Sequence, residues 1–177
     1  MALRLVKAEP AHVMPWRRWR TDPEALRYMY LPAAGLDEWE AKLATARSDF
    51  GDRSGELYRW IAVDGDQPVG SLSFSNPDWG NLHAEIGYLV APEARGKGVG
   101  RRMVAAALDL AFGDGGLERV MAFIHAGNVG SIRLAESLGF VREGLLREHN
   151  VIQGCRCDHY LYAILKREWR GAGPRPG

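Results

Sequence analysis

Arg95-Gly96-Lys97-Gly98-Val99-Gly100 stands between an apolar run, Ile86 to Val90, and a helical pattern in which Val99, Met103, Ala106, Ala107 and Leu110 share one face. Pro92 ends the apolar run, because proline cannot donate to a ladder. A strand that closes in a glycine-rich turn and feeds a helix N-terminus brings free N–H groups together. The helix dipole adds about half a positive charge at that point. Gly96, Gly98 and Gly100 let backbone approach a phosphate where a Cβ would clash. Arg95 and Lys97 precede the helix, and Arg101 and Arg102 lie within its first turn. Together these features predict a phosphate-binding turn rather than a loop that only caps a helix.

The spacing excludes two common phosphate motifs. A P-loop needs four residues between its first Gly and a Gly-Lys-Ser/Thr, and no Ser or Thr follows Lys97 where one is required. A dinucleotide fingerprint is G-x-G-x-x-G near the start of a βαβ unit, with an acidic residue about 20 positions on. Here the order is G-x-G-x-G, past mid-chain, and Glu118 lies beyond the helix rather than at a strand end. Nucleotide hydrolysis and hydride transfer are therefore disfavoured.

Composition narrows the remaining classes. The 177 residues suit one domain, read as 1–170, with a Gly/Pro-rich tail at 171–177 that is expected to be mobile. A formal net charge of +1 gives no reason to expect a nucleic acid or an anionic membrane as partner. No apolar run approaches the ~20 residues that span a bilayer, and no signal-peptide core opens the chain, so a cytoplasmic location is expected. Cys155 and Cys157 flank one residue of an expected strand and point to the same face, which makes a poor disulfide. With only Asp158 and His159 beside them they also make a poor zinc site, so no metal is expected.

Elsewhere the chain divides cleanly. Leu3 to Ala8 alternates like an edge strand, and residues 12–20 and 37–47 read as helices, the second with Asp37 as N-cap. Between them Pro23, Pro32 and Gly35 punctuate a loop. Strands at 57–63 and 68–75 flank Asp64-Gly65-Asp66-Gln67, a tight hairpin turn. A turn at 75–78 leads to a strand at 83–90, the helix at 99–112 and a strand at 119–125. The helix at 129–138 stops at Gly139, and strands at 141–151 and 156–165 close the fold as a hairpin around Gln153-Gly154. The order β-α-α-β-β-β-α-β-α-β-β predicts a mixed α/β fold whose sheet is covered by helices. The strand before the glycine turn and the strand ending at His125 should be parallel neighbours, with ligand at their carboxyl ends.

At this point the chain resembles the GCN5-related N-acetyltransferases (GNAT), and more narrowly their RimJ/RimL-type protein N-acetyltransferases. The family motif Arg/Gln-x-x-Gly-x-Gly/Ala matches Arg95, Gly98 and Gly100. The subgroup shows in Ala84-Glu85-Ile86-Gly87-Tyr88, Asn128-x-x-Ser131, Leu138-Gly139-Phe140, Glu143-Gly144 and the run from Tyr160 to Trp169. These blocks cover most of residues 57–170 in family order, and the first 56 residues carry no such motif. The resemblance implies a mostly antiparallel seven-stranded sheet with a splayed central parallel pair and about four flanking helices. It implies acetyl-CoA as donor, with pyrophosphate on the amides of Gly96, Lys97, Gly98, Val99, Gly100 and Arg101. The pantetheine arm would run along Leu89 and Val90, and Asn128 would reach it, though Asn is also a favoured N-cap.

Acetyl transfer needs a neutral amine, a stabilised oxyanion and a proton for the departing thiolate. A backbone N–H such as that of Val90 can serve the oxyanion. Many GNAT enzymes place a thiolate-protonating Tyr where this chain has Ala135; RimJ/RimL-type enzymes are similar to this chain in carrying Ser131 instead. Ser131 is therefore assigned the acid role, against a local hydrogen bond in the first helical turn. The Glu used as base by some RimL-type enzymes falls at Asn150, which cannot accept a proton. Glu85 is the first substitute, while His125, His149 and Glu148 stay open.

A weak base suits an α-amine of pKa near ~8, about a tenth neutral at pH 7, better than a lysine or polyamine amine near ~10.4. The expected acceptor is thus a protein or peptide N-terminus. A small amine (polyamine, antibiotic or amino-acid toxin) is the alternative, and a non-catalytic acyl-CoA sensor is a third reading. Trp16, Trp19, Tyr28, Tyr30, Trp39 and Trp79 read mostly as core, and Arg17, Arg18, Arg20 and Arg27 among them suit an acidic substrate. Neither the oligomeric state, a homodimer included, nor an acyl group larger than acetyl is decided by sequence.

Overall fold

The turn at Asp64-Gly65-Asp66-Gln67 is present in the computed structural model, which describes residues 3–31 and 34–171. It joins β2 (Leu57–Asp64) to β3 (Gln67–Asp78), with Asp64 directly opposite Gln67. The remaining strands are β1 (Leu3–Lys7), β4 (His83–Val90), β5 (Arg119–His125), β6 (Val141–Ile152) and β7 (Cys155–Leu165). All seven form one sheet in the order β1-β2-β3-β4-β5-β7-β6. Every neighbouring pair is antiparallel except β4 and β5. Gln153 and Gly154, at φ 51° and 79°, close the β6–β7 hairpin, the left-handed pair that a two-residue turn between twisted strands demands.

The parallel pair forces a crossover, and α4 (Val99–Phe112) supplies it. The helix α5 (Val129–Leu138) follows β5 and ends at Gly139. Earlier in the chain come α1 (Val13–Arg20), α2 (Pro23–Leu26) and α3 (Leu36–Ala44). That makes five helices among the described residues where about four were expected, the extra one being α2 in the expected loop. Asp22 accepts the Ala25 N–H at 3.2 Å and Pro23 occupies the first helical position, so this short helix has its own start signal. The first helix begins later than expected, because residues 10–12 form a 3-10 turn. Helix α3 is capped by Gly35, not Asp37, and ends at Ala44. Asp37 and Glu38 sit in its first turn, where negative charge meets the positive end of the helix. Pro32 and the tail beyond Gly171 lie outside the described residues.

Alternation along β2 separates two cores. Tyr58, Trp60 and Ala62 face α4 and α5, packing with Met103, Leu108 and Leu138. Ile61 and Val63 face the other way, onto Trp16, Trp19, Trp39 and Leu43 of α1 and α3. The tryptophans of α1 and α3 are thus core residues, as their sequence context suggested. Leu108 is fully buried at the centre of α4. Leu108→Ala should lower unfolding free energy by about 2–5 kcal/mol, read from urea midpoints at constant m-value.

Candidate functional site

The sheet opens at one place. β4 and β5 pair only through His83–Arg119, Ala84–Val120 and Glu85–Met121, although β4 runs on to Val90 and β5 to His125. Beyond Glu85 the facing edges are unpaired. The Ala91 N–H donates to the Val69 carbonyl on β3 at 2.9 Å. Backbone groups of consecutive strand residues point to opposite sides, so past the last rung, where the Ile86 N–H meets β5, Tyr88 and the Val90 N–H face the gap. The Val90 carbonyl accepts from Arg95 Nε at 3.4 Å. Leu89 turns its backbone to β3, and its side chain lines the cavity.

At the mouth of this gap stands the glycine turn. Gly96 and Gly98 have φ of 73° and 71°, a left-handed backbone that a Cβ would strain. No side chain caps α4 and no acidic residue occupies its first turn. The amides of residues 96–101 have no acceptor among the described residues. Gly100 matters for packing: a Cβ there would meet Leu134 Cδ1 at 2.7 Å and Val90 Cγ2 at 3.1 Å. An uncapped helix start with six unclaimed donors in sequence is an anion cradle by construction. Arg95 turns its guanidinium back to Asp22, with Nη1–Oδ2 at 2.8 Å, and so ties the cradle to α2. This pairing, through a side-chain hydrogen bond and charge, holds the Asp22 carboxyl below its usual range against the cost of desolvation.

A cavity of about 600 Å³ runs from Gly96 to Ser131, and a second of about 710 Å³ opens behind it. They share Ala25, Tyr28, Tyr88, Leu89, Asn128 and Ser131, which form a waist in the gap. The Tyr88 hydroxyl lies 2.6 Å from Ser131 Oγ. Burial pushes the Tyr88 phenol up, the Ser131 bond opposing, so it keeps its proton at neutral pH. Asn128 Oδ1 accepts the Ser131 N–H at 3.0 Å, which makes it the N-cap of α5. Ser131 therefore finds its hydroxyl partner across the cleft rather than within its own turn. Ala135, one turn further along α5, is buried and offers no hydroxyl.

Side-chain alternation assigns the two sides of the waist. Ile86 and Tyr88 face α4 and α5, whereas Glu85, Gly87 and Leu89 face α1 to α3. Glu85 therefore lines the second cavity from the opposite face of the sheet to Ser131. Burial raises its carboxyl above the usual range; Asn76, donating at 3.4 Å, and the nearby His149 act against this. Three histidines surround the same cavity, with ring centroids 5.4 Å apart for His125–His159 and 5.5 Å for His149–His159. Burial first, and then the neighbouring histidines, hold His159 below its ordinary value, hence neutral at pH 7. His125 Nδ1 accepts the Gly127 N–H at 2.9 Å, so its neutral form carries the proton on Nε2 and has no lone pair to offer. Glu148 lines a separate surface cleft. No group of three or more His, Cys, Asp or Glu suited to a metal occurs among the described residues, and Cys155 and Cys157 are free thiols.

The glycine turn, Leu89, Val90, Asn128, Ser131 and Glu85 are thus gathered around one opening. Tyr88, Tyr28 and His159 were not singled out for the site by sequence. Tyr88 sits inside the Ala84-to-Tyr88 block, but only strand register shows that it reaches α5. Tyr28, tilted against His125 at 5.4 Å, is placed by α2, the helix read as loop.

A family model described as an acetyltransferase (GNAT) domain matches residues 2–141. The chain is 30% identical to the N-acetyltransferase p20 of Bacillus licheniformis over 97% of this chain and 96% of that protein. It is 28% identical to the ribosomal protein uS5 alanine N-acetyltransferase of Escherichia coli, over 74% of this chain and 68% of that protein. Among solved structures, the spermidine N-acetyltransferase of Vibrio cholerae in complex with CoA and spermine superposes with a TM-score of 0.82 at 24% identity, covering 94% of this chain and 96% of that one.

Proposed function

Because this chain belongs to the GNAT N-acetyltransferase family, and is thereby an acyltransferase, we propose that it transfers acetyl from acetyl-CoA to the α-amine of a protein or peptide N-terminus. The observation that carries this reading is the waist at Tyr88 and Ser131, which joins an anion cradle to a cavity whose described lining residues include a single carboxylate, Glu85.

The amides of residues 96–101 would hold the pyrophosphate, and the cavity behind them is large enough for a pantetheine arm against Tyr88, Val90 and Asn128. The Val90 N–H, open to the gap, would meet the charge that develops on the thioester oxygen. Glu85 would take the proton of the acceptor ammonium on one face of the sheet, and the free amine would attack the thioester directly. On the other face Ser131 would donate to the departing sulfur, and the second proton, shed by the attacking nitrogen as the amide forms, would restore the serine hydroxyl through solvent in the gap. Tyr88, keeping its own proton, can donate to Ser131 Oγ and leave the serine hydrogen free for that task. Acid and base thus stand on opposite faces and meet the reacting atoms through the gap.

The acceptor class follows from charge. A polyamine carries several ammonium groups and calls for several carboxylates, whereas the second cavity has one among its described lining residues. An α-amine brings one positive charge and a pKa near ~8, within reach of one raised glutamate. The E. coli relative named for the uS5 alanine fits this reading. Thiol release should be followed with N-terminal peptides, lysine-blocked and α-blocked, and with spermidine. Turnover should require a free α-amine; turnover with spermidine alone would overturn the assignment.

A further inference from the structure

Away from the gap, a cavity of about 350 Å³ lies between α1, α3 and β2. Its polar lining is cationic: Arg20, Lys42 and Arg59, with Thr45, whose hydroxyl is committed to the Ala41 carbonyl at 2.7 Å. Two tryptophans form its body. Trp16 and Trp39 meet edge to face at 4.9 Å. The Arg59 guanidinium carbon lies 4.5 Å from the Trp16 centroid, and that of Arg20 lies 5.5 Å from Trp16 and 5.8 Å from Trp39. Lys42 Nζ lies 5.6 Å from the Trp39 centroid.

What the cavity lacks is an acid. No carboxylate lines it among the described residues, and none of the three cations makes an ion pair there. The contrast with Arg18 of α1 is direct, since Arg18 pairs with Glu93, and just beyond α2 Arg27 pairs with Glu24. Burial lowers both Arg20 and Arg59, and Arg20 lowers Arg59 further, to about 10, so the charge facing Arg59 is another cation. A cation–π contact returns only part of what removing a guanidinium from water costs. Two crowded guanidinium groups with no counter-ion are therefore an unfinished electrostatic arrangement, which an anion would complete.

We propose that the cavity between α1, α3 and β2 is a second binding site, for a carboxylate- or phosphate-bearing ligand whose apolar body rests on Trp16, Trp39, Leu31 and Leu57. Two sources share that chemistry. One is a free organic anion. The other is an acidic side chain near the N-terminus of a protein acceptor, because Arg59 lies in register with Ser73, and Ser73 with Gly87 of the acceptor cavity. Gly87 is thus two strand spacings from Arg59, roughly 10 Å, a distance that an extended peptide covers in about three residues.

The test uses citrate and inorganic phosphate as probes in the presence of saturating CoA, which would fill the cradle at residues 96–101, with ionic strength matched by NaCl, and reads tryptophan fluorescence and thermal unfolding without acetyl group or acceptor. It therefore stands apart from the acetyl-transfer assignment. At ten times Kd, a bound anion should raise the Tm of the wild type by about 3–6 °C. Arg59→Met and Arg20→Met keep the apolar stem and remove the charge. Each should unfold no earlier than wild type without anion, and each should lose most of the anion-induced shift. Equal shifts in wild type and in whichever of these variants folds, or no shift with either probe, would overturn the proposal. Kinetics then identify the source. A KM that rises tenfold in Arg59→Met for acidic peptides, and not for neutral ones, assigns the site to the acceptor. An unchanged KM for both, with the citrate response lost, assigns it to a free anion.

Discussion

Glu85→Gln should lower kcat on an α-amine peptide by about 10²-fold at pH 7, the scale of losing a positioned general base. The variant keeps the shape and the Asn76 contact, so its fold and its affinity for CoA should hold. The pH profile is the sharper readout. Burial raises the Glu85 carboxyl, and the base acts only when ionised, so wild-type activity should climb as pH passes a value above the ordinary glutamate range. In the variant that acid limb disappears, and only the ionisation of the amine itself remains. The deficit should then shrink towards pH 9, where most of an α-amine of pKa near ~8 is neutral without help. For a lysine-type amine near ~10.4 it should not shrink over the same range. His149 supplies the control, as it stacks on Phe123 at 5.5 Å beside the same cavity. If His149→Gln removes the limb and Glu85→Gln leaves it, the base is the histidine.

The glycine turn and the helix start of α5 were readable in the chain because each of their devices is local. Gly96 and Gly98 announce left-handed backbone, Pro92 ends a strand, and Asn128 both caps a helix and faces the gap; all are decided within a few residues of sequence. The parallel pair followed from one crossover helix. The second cavity was less legible, because it depends on which strands part and where. Pairing of β4 with β5 stops at Glu85, and nothing in Glu85-Ile86-Gly87 marks that stop. Register alone brings Tyr88 to Ser131 and sets His159 opposite His125. α2 is a different case: Asp22-Pro23-Glu24 is a recognisable start signal, but the helix it opens is only Pro23–Leu26, too short to show a periodic apolar face. The cationic cavity was half visible. Arginines among aromatics were evident in residues 16–30, but Arg59 comes from β2, and only the packed fold sets it beside Arg20 with no acid between them.

Ser131→Ala should lower kcat by about 10- to 100-fold while leaving CoA affinity within about threefold, since a proton donor acts in the transition state and the cradle lies elsewhere. Tyr88→Phe should cost less, about tenfold at most, because it removes a partner of the donor rather than the donor. The double variant distinguishes positioning from independent action. If Tyr88 works by orienting the Ser131 hydroxyl across 2.6 Å, the double variant should be no slower than Ser131→Ala. Losses that multiply would mean that the tyrosine touches the reacting atoms itself, and Tyr88 rather than Ser131 would then be the first candidate for the acid. The leaving group offers a second axis. A donor whose thiol is more acidic than that of CoA needs less help from a proton, so the Ser131→Ala deficit should narrow with it. A deficit of equal size with both donors would mean that Ser131 holds the thioester in line and does not protonate it. The half-buried phenol makes the two cases separable: at neutral pH Tyr88 remains a donor in both, so only the serine's hydrogen changes its destination.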